Sequence, residues 1–423
     1  MILLTKKQRL LLVSFALFYC FLFLVSRFRS ARDPGSFFFQ PDVGYQPQYS
    51  IQRIEESLDY LSGYNTTTTS DPARPPRNST TKAEDVTFCV GVVTVKRPLQ
   101  QNIDTTVASI LDHLSAQERS RIAVHVLFAL TSPSDHPDYN QPWVPNVVDR
   151  VLTYDRMDGA PSLSTLRTLE RQRDVKRKSL IDYRLSLKSC YDDSNAPYIM
   201  MLEDDVVAQR AWYNHTLETL QTIQSWNSTG AIHDWLYLRL FYTEKFLGWN
   251  SEHWPIYTLC SISIVALVAL LGLMSRRSIR PMQGILTNSF LAILCFLCVP
   301  LLIGLYFLAG RVTMQPMHPG LHVMNGHGCC SQALVFPRAS VPQLIDFLEQ
   351  MQDTHPEAVD SAIEALADAN GLDRLAIVPS QMQHVGAASY KENKKTYQWH
   401  GPHPVKGAHG VWSMGFEKAY GYE

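Results

Sequence analysis

The sequence predicts an α/β fold: a mostly parallel sheet covered by helices, interrupted by a transmembrane helical hairpin and preceded by an N-terminal transmembrane anchor. Three observations lead there. Runs rich in β-branched residues alternate with stretches of helical periodicity from Val86 to about Pro379, the pattern of strands joined by crossover helices. Two uncharged apolar blocks, Pro255–Met274 and Ile285–Ala309, fall inside that alternation, each long enough to cross a bilayer. Another apolar block, Leu10–Val25, lies near the start between Lys6, Lys7, Arg9 and Arg27, Arg29, Arg32.

The 423 residues suffice for two or three average domains or one large domain with additions, and a net charge of −1 gives no electrostatic case for nucleic acid. Residues 1–9 read as a cytosolic tail and 10–26 as an uncleaved anchor, because Arg27, Phe28 and Arg29 stand where a small-residue cleavage site would be. Residues 27–85 read as a stem: Ser70 to Arg77, with prolines and arginines interleaved, cannot bury enough surface to fold alone, although Ile51 to Leu61 has the pattern of a short helix. The hairpin spans 255–309, and its turn, 275–284, carries Arg276, Arg277 and Arg280. The positive-inside rule assigns that turn to the cytosol. Parity then gives three spans, a cytosolic N-terminus, and lumenal segments on both sides of the hairpin. The segments 86–254 and 310–390 read as two parts of one domain, and 391–423 as a loop-dominated tail.

The sequons Asn65, Asn78, Asn214 and Asn227 all fall in the first lumenal segment, as glycosylation requires. Cys20, Cys260, Cys295 and Cys298 lie in apolar blocks; Cys89, Cys190, Cys329 and Cys330 lie in lumenal territory, where disulfides persist. Four cysteines allow three pairings. A bond between the adjacent Cys329 and Cys330 is strained, so crossed pairs with Cys89 and Cys190 are expected.

Along the domain, Val86–Val95 reads as a buried strand, Asn102–Leu114 as a helix, Ile122–Leu130 and Val147–Thr153 as strands, and Ser164–Ser189 as one long basic helix. Its arginines and lysines read mainly as a solvated face, with one or two in reach of a phosphate. Tyr198–Leu202 is the next strand, followed by a helix over Trp212–Ile223 and a strand over Trp235–Phe241. After the hairpin come a strand (Ser331–Pro337), helices (Val341–Met351 and Glu357–Ala369) and a last strand (Leu375–Pro379), left by Gln381–Gly386.

Chemistry concentrates at strand ends. Tyr198–Leu202 runs directly into Glu203, Asp204 and Asp205, with Val206 and Val207 behind. Three adjacent carboxylates at the end of a buried strand need positive charge beside them. A divalent cation carrying a diphosphate is an economical source, since hard oxygen ligands suit Mg²⁺ or Mn²⁺; a solvated acidic turn is the alternative. Thr94, Lys96 and Arg97 end the first strand at the same edge, where ligands of such sheets sit, or else form a surface turn.

Val93–Arg97, the acidic triplet, Trp235–Leu238 through Lys245–Gly248, and Pro379–Gly386 together resemble lumenal GT-A glycosyltransferases. The soluble part is similar to the N-acetylglucosaminyltransferase IV group. A hairpin inside the catalytic domain instead resembles the Golgi post-GPI-attachment N-acetylgalactosamine transferase family, over about residues 86–390. That resemblance implies a GT-A-type domain in the Golgi membrane, a UDP-GalNAc donor, a mannose of glycosylphosphatidylinositol (GPI) on anchored proteins as acceptor, and Mn²⁺ (or Mg²⁺). It also implies metal ligation by Asp205 and His384, with Thr94, Lys96, Arg97, Glu203 and Asp204 around the nucleotide and sugar. Inverting transfer needs a carboxylate base; Asp360 is the candidate, with Glu357 and Glu244 as substitutes. The hairpin would hold the cleft at the bilayer, raising the effective acceptor concentration. Two other readings stay open: a GlcNAc transferase acting on N-glycan mannose, and a lumenal binding protein without catalysis. A channel or transporter is disfavoured, since the spans carry no ionisable residue at depth.

Overall fold

The computed structural model describes residues 4–64, 86–97, 100–232, 234–324, 330–386 and 411–418. The chain divides into two units, Met1–Gln46 with Glu244–Met317, and Pro47–Thr243 with His318–Glu423.

The second unit holds the sheet. Its helices are α1 (Tyr49–Ser62), α2 (Ile103–Leu111), α3 (Leu163–Gln172), α4 (Val175–Asp193), α5 (Trp212–Ser228), α6 (Val341–Thr354), α7 (Val359–Asn370) and α8 (Met414–Glu417). Its strands are β1 (Phe88–Thr94), β2 (Ile122–Phe128), β3 (Arg150–Leu152), β4 (Tyr198–Glu203), β5 (Val206–Ala208), β6 (Trp235–Arg239), β7 (Gly320–Val323), β8 (Ala333–Pro337), β9 (Asp373–Val378) and β10 (Met382–His384). Eight of them form one sheet in the order β3-β2-β1-β4-β8-β6-β9-β7, and β5 pairs with β10 as a separate ribbon. The pairs β2–β3, β1–β2, β1–β4 and β6–β9 are parallel; β8 runs antiparallel to both β4 and β6, and β7 antiparallel to β9. The sheet is thus mixed and mostly parallel. Strands from before and after the hairpin interleave in it, since β8 lies between β4 and β6.

Both faces are covered, which explains why β1, β2 and β4 read as continuous apolar runs. Phe88, Val90, Val92, Met200 and Leu202 pack with Trp212 and Val107 on one face. Cys89, Ile199 and Met201 pack with Leu180, Leu187, Leu344 and Ile363 on the other. Close approach of α4 requires Gly91: a Cβ there would lie 2.7 Å from Ser186 Oγ and 2.8 Å from Met201 Sδ.

Several expectations are corrected. The long basic helix is two helices, because Arg173 turns left-handed (φ 54°) and the Asp174 side chain caps a new start by accepting from the Arg177 N–H. Its Lys178 is not on a solvated face. The ammonium is buried and donates to Ala129 O (2.7 Å), Tyr154 OH (2.8 Å) and Asp182 Oδ2 (2.9 Å). The crossed disulfides do not form: Cys89 bonds to Cys190, joining β1 to α4 with Cα atoms 5.5 Å apart. Cys330 is also disulfide-bonded, and Cys329 lies outside the described residues. Strand β7 escaped sequence reading because four residues on a half-exposed edge carry no alternation.

The first unit contains three helices long and apolar enough to cross a membrane, within Lys6–Arg29, Glu244–Ser278 and Asn288–Leu308. The last contains a π-helical turn, Leu294–Cys298. Gln8 Nε2, at the start of the first helix, donates to Ile285 O (2.7 Å) and Thr287 Oγ1 (3.1 Å) beside the hairpin turn. Past its other end, Phe37 N–H donates to Leu308 O (2.9 Å), and Asp33 Oδ2 accepts from Thr313 N–H (2.7 Å). The start of the first helix and the hairpin turn therefore lie on one side of the bundle, and the residues after that helix meet the hairpin's open end on the other. Cys20, Cys260, Cys295 and Cys298 are free thiols.

Candidate active site

Strand β4 delivers Glu203, Asp204 and Asp205 to the carboxyl edge of the sheet, where β1 ends at Thr94. Asp204 and Asp205 are buried. Arg97 compensates both: Nε donates to Asp204 Oδ1 (3.0 Å), Nη2 also reaches that oxygen, and Nη1 lies 2.9 Å from Asp205 Oδ2. Thr94 Oγ1 donates to Asp204 Oδ2 (2.7 Å), and Val95 N–H reaches the same atom at 3.3 Å. The expected positive partner is thus supplied within the chain by Arg97, while Lys96 is exposed at the rim. Glu203 accepts from Ser331 Oγ at Oε1 (2.9 Å), and its backbone N–H donates to Gln332 O (2.9 Å).

Asp205 faces β10. Its Oδ2 lies 3.2 Å from His384 Nε2, and its carbonyl accepts from Val385 N–H (2.9 Å). The antiparallel register Met382↔Ala208, Gln383↔Val207, His384↔Val206 brings the two side chains together. The ribbon is anchored by α2, whose Thr106 and Ser109, one helical turn apart, both serve β5. Thr106 Oγ1 donates to Val206 O (2.8 Å), and Ser109 Oγ accepts from Ala208 N–H (3.0 Å).

Burial raises the Asp204 carboxyl above its ordinary range, against the pull of Arg97. For Asp205 burial acts the same way, yet His384 and Arg97 more than reverse it and hold the group at about 2. The reciprocal holds at His384, where burial lowers the imidazole but the Asp205 charge overcomes it and raises the group. Two polar atoms stay unpartnered and buried, Asp205 Oδ1 and His384 Nδ1. Gly386 leaves the space beside them open: a Cβ there would lie 2.1 Å from Asp205 Oδ2 and 3.1 Å from His384 Nε2.

Sequence reading missed a second layer. Asp138 N–H donates to His136 Nδ1 (3.2 Å), so the hydrogen-bond pattern assigns the imidazole hydrogen to Nε2, 3.0 Å from Thr94 Oγ1. Thr94 must then spend its own proton on Asp204. Burial, helped by the charge of Lys96, holds His136 down at about 4 and therefore neutral. Burial and the charges of Asp104 and Asp204 push Asp138 up to about 6. The only local signal was polar residues in the loop after β2, which is common in any loop.

The base candidates sit on or beside elements other than the one that carries the triplet. Asp360 is the second residue of α7, and its Oδ1 accepts from Ser361 N–H (2.9 Å). Glu357 is exposed ahead of it. Glu244 is buried in a single 3-10 turn of the first unit. Asn214 and Asn227 are exposed on α5, while Asn65 and Asn78 lie outside the described residues.

Most of this site, though not His384 or Gly386, falls in a segment that matches a known family. Residues 88–383, more than half of the chain, match the family model described as GPI-N-acetylgalactosamine transferase PGAP4, a transferase family, and the chain belongs to that family.

Proposed function

We propose that this protein is a GT-A-type glycosyltransferase of the Golgi membrane that transfers N-acetylgalactosamine from UDP-GalNAc to a mannose of GPI, with its catalytic residues in the lumen. Family membership supports the acceptor and sugar. The observation that carries the metal-dependent reading is the pairing of Asp205 with His384, two buried donors from opposite sides of the hairpin insertion.

A divalent cation, Mn²⁺ (or Mg²⁺), fits these residues. One carboxylate oxygen and one imidazole nitrogen converge, Asp205 Oδ1 is buried without a partner, and Gly386 keeps a side chain out of the shared space. Oxygen with neutral imidazole suits Mn²⁺. When bound, the cation supplies charge neutralisation for the diphosphate leaving group.

The chain's own groups then divide the remaining work. Arg97, which bridges Asp204 and Asp205, would offer its remaining guanidinium hydrogens to the donor phosphates. Asp204, held by Thr94 and through it by His136, presents a fixed carboxylate to the ribose or donor sugar. Glu203 stays in place through Ser331 on the strand entering β8. Lys96 at the rim adds positive charge to the path of the anionic donor. Asp360 is proposed as the base for the acceptor hydroxyl. A left-handed turn at Gly371 (φ 62°) sends α7 back into β9, which directs its first turn toward the edge where the strands end.

The three apolar helices support residence in a bilayer, with the arginine-bearing hairpin turn and the N-terminus sharing the cytosolic side. The test is transfer by the purified full chain from UDP-GalNAc to a mannose-containing GPI glycan. Activity lost on chelation and restored by Mn²⁺ supports the proposal. Transfer unaffected by chelation, or from UDP-GlcNAc alone, sinks it.

A further inference from the structure

His384 is positioned from behind. Strand β10 alternates, so His384 faces Asp205 while its neighbour Gln383 points the opposite way, into a fully buried polar cluster. There Gln383 Nε2 donates to Ser413 O (2.8 Å) and Glu417 Oε1 (2.9 Å), and Gln383 Oε1 accepts from Ser413 N–H (3.0 Å). The other Glu417 oxygen, Oε2, accepts from the backbone N–H groups of Gln48 (2.7 Å) and Ser50 (3.2 Å), at the otherwise uncapped start of α1. A carboxylate at a helix N-terminus satisfies donors the helix cannot, and the dipole favours its charge.

Apolar packing closes the same junction. Tyr49, Val207 and Phe416 form one buried cluster, with the Tyr49 and Phe416 rings 5.2 Å apart. Arg53, one turn along α1, donates to Ala208 O (2.9 Å) on the strand behind Asp205. The outer side of the β5–β10 ribbon is thus held by two segments from opposite ends of the chain, α1 and residues 411–418, which meet at Glu417.

We propose that Gln383 and Glu417 are positioning residues that set the His384 imidazole at the cation position, so that α8 and the first turn of α1 act as one clasp behind the ribbon. The inference rests on the proposed metal role of Asp205 and His384. Both hydrogen-bonding atoms of Gln383 are engaged by residues 413 and 417, so the strand cannot rotate without breaking three bonds at once. Loss of the clasp leaves the imidazole present but able to turn away from Asp205.

The test titrates Mn²⁺ into the full chain in detergent micelles, following free Mn²⁺ by electron paramagnetic resonance, alongside Mn²⁺-dependent donor turnover and Tm. Q383L and E417A are expected to weaken Mn²⁺ binding roughly 10- to 100-fold, the range for residues that orient a metal ligand. Turnover at saturating Mn²⁺ should stay within about threefold of wild type, because a purely positional loss is recovered by mass action. E417Q, which keeps an oxygen for the α1 amides but turns an NH2 donor toward the Gln383 NH2, should weaken Mn²⁺ binding as well, though less than E417A. Q383N, one methylene shorter, decides the matter if E417A fails to fold. Wild-type Kd values in Q383L and Q383N, with D205A abolishing binding, overturn the clasp alone. If wild type and D205A bind Mn²⁺ equally, the metal reading itself is overturned and the clasp with it.

Discussion

Asp205 Oδ2 and His384 Nε2 lie 3.2 Å apart, although the hairpin insertion separates them in sequence. The contact follows from backbone pairing of β5 with β10, so the geometry of the pair is set by hydrogen bonds and not by side-chain flexibility.

Gly386 gives the sharpest steric test. G386A would push a methyl group into the space that Asp205 Oδ2 and His384 Nε2 share. We expect Mn²⁺ affinity to fall by at least roughly tenfold, with a stability cost of about 1–3 kcal/mol from overpacking. Isothermal titration with Mn²⁺ and thermal unfolding of the same sample read the two effects separately.

Arg97 compensates two buried carboxylates. R97A should destabilise the chain by about 3 kcal/mol, the cost of leaving buried charge uncompensated. Added Mn²⁺ should therefore raise Tm more in R97A than in wild type, while the KM for donor rises. A smaller Mn²⁺ shift in R97A would contradict this reading.

The Thr94 hydroxyl links His136 to Asp204. T94V keeps the shape and removes the link, at about 1–3 kcal/mol for an unsatisfied buried acceptor. We expect kcat/KM for the donor to fall roughly tenfold, through the Asp204 contact. Steady-state kinetics at saturating Mn²⁺ measures this.

Glu56 carries a pH signature. Burial alone would raise its carboxyl, but Arg210 and Arg53 hold it at about 2, below an ordinary value of 4.5. A depressed carboxylate contributes stability that is full above 4.5 and is lost as pH falls toward about 2. Solvent screens this partly exposed group, so E56Q should be less stable at neutral pH by only about 1 kcal/mol. Its Tm should converge on wild type across that acid window. A difference independent of pH would contradict the assignment.

Non-reducing peptide mapping checks the disulfide. A linked fragment containing Cys89 and Cys190 is expected; fragments linking either to Cys330 would restore the crossed arrangement.

The strands bearing the site were legible because β1, β2 and β4 are buried on both faces, and such strands write themselves as unbroken apolar runs. The acidic triplet was legible as chemistry because charge at the end of such a run needs a partner. That the partner is Arg97 was not legible: it lies 107 residues from Asp204 in sequence, and only the parallel pairing of β1 with β4 brings the two strand ends together. The β5–β10 ribbon, with three residues in each strand, is too short for periodicity to register. The tail resisted for a related reason. Trp412, Met414 and Phe416 are buried, yet α8 is a single turn whose order comes from α1 and Gln383, both distant in sequence. The disulfide expectation fails because α4 lies across β1 and brings Cys190 to Cys89, a packing that no strain argument about adjacent cysteines contains.

The most direct test is mass spectrometry of GPI glycans released from cells lacking this protein and complemented with wild type, D205A or H384A at matched expression. The account predicts a HexNAc branch on mannose restored by wild type and by neither variant. Restoration of that branch by both variants would contradict it.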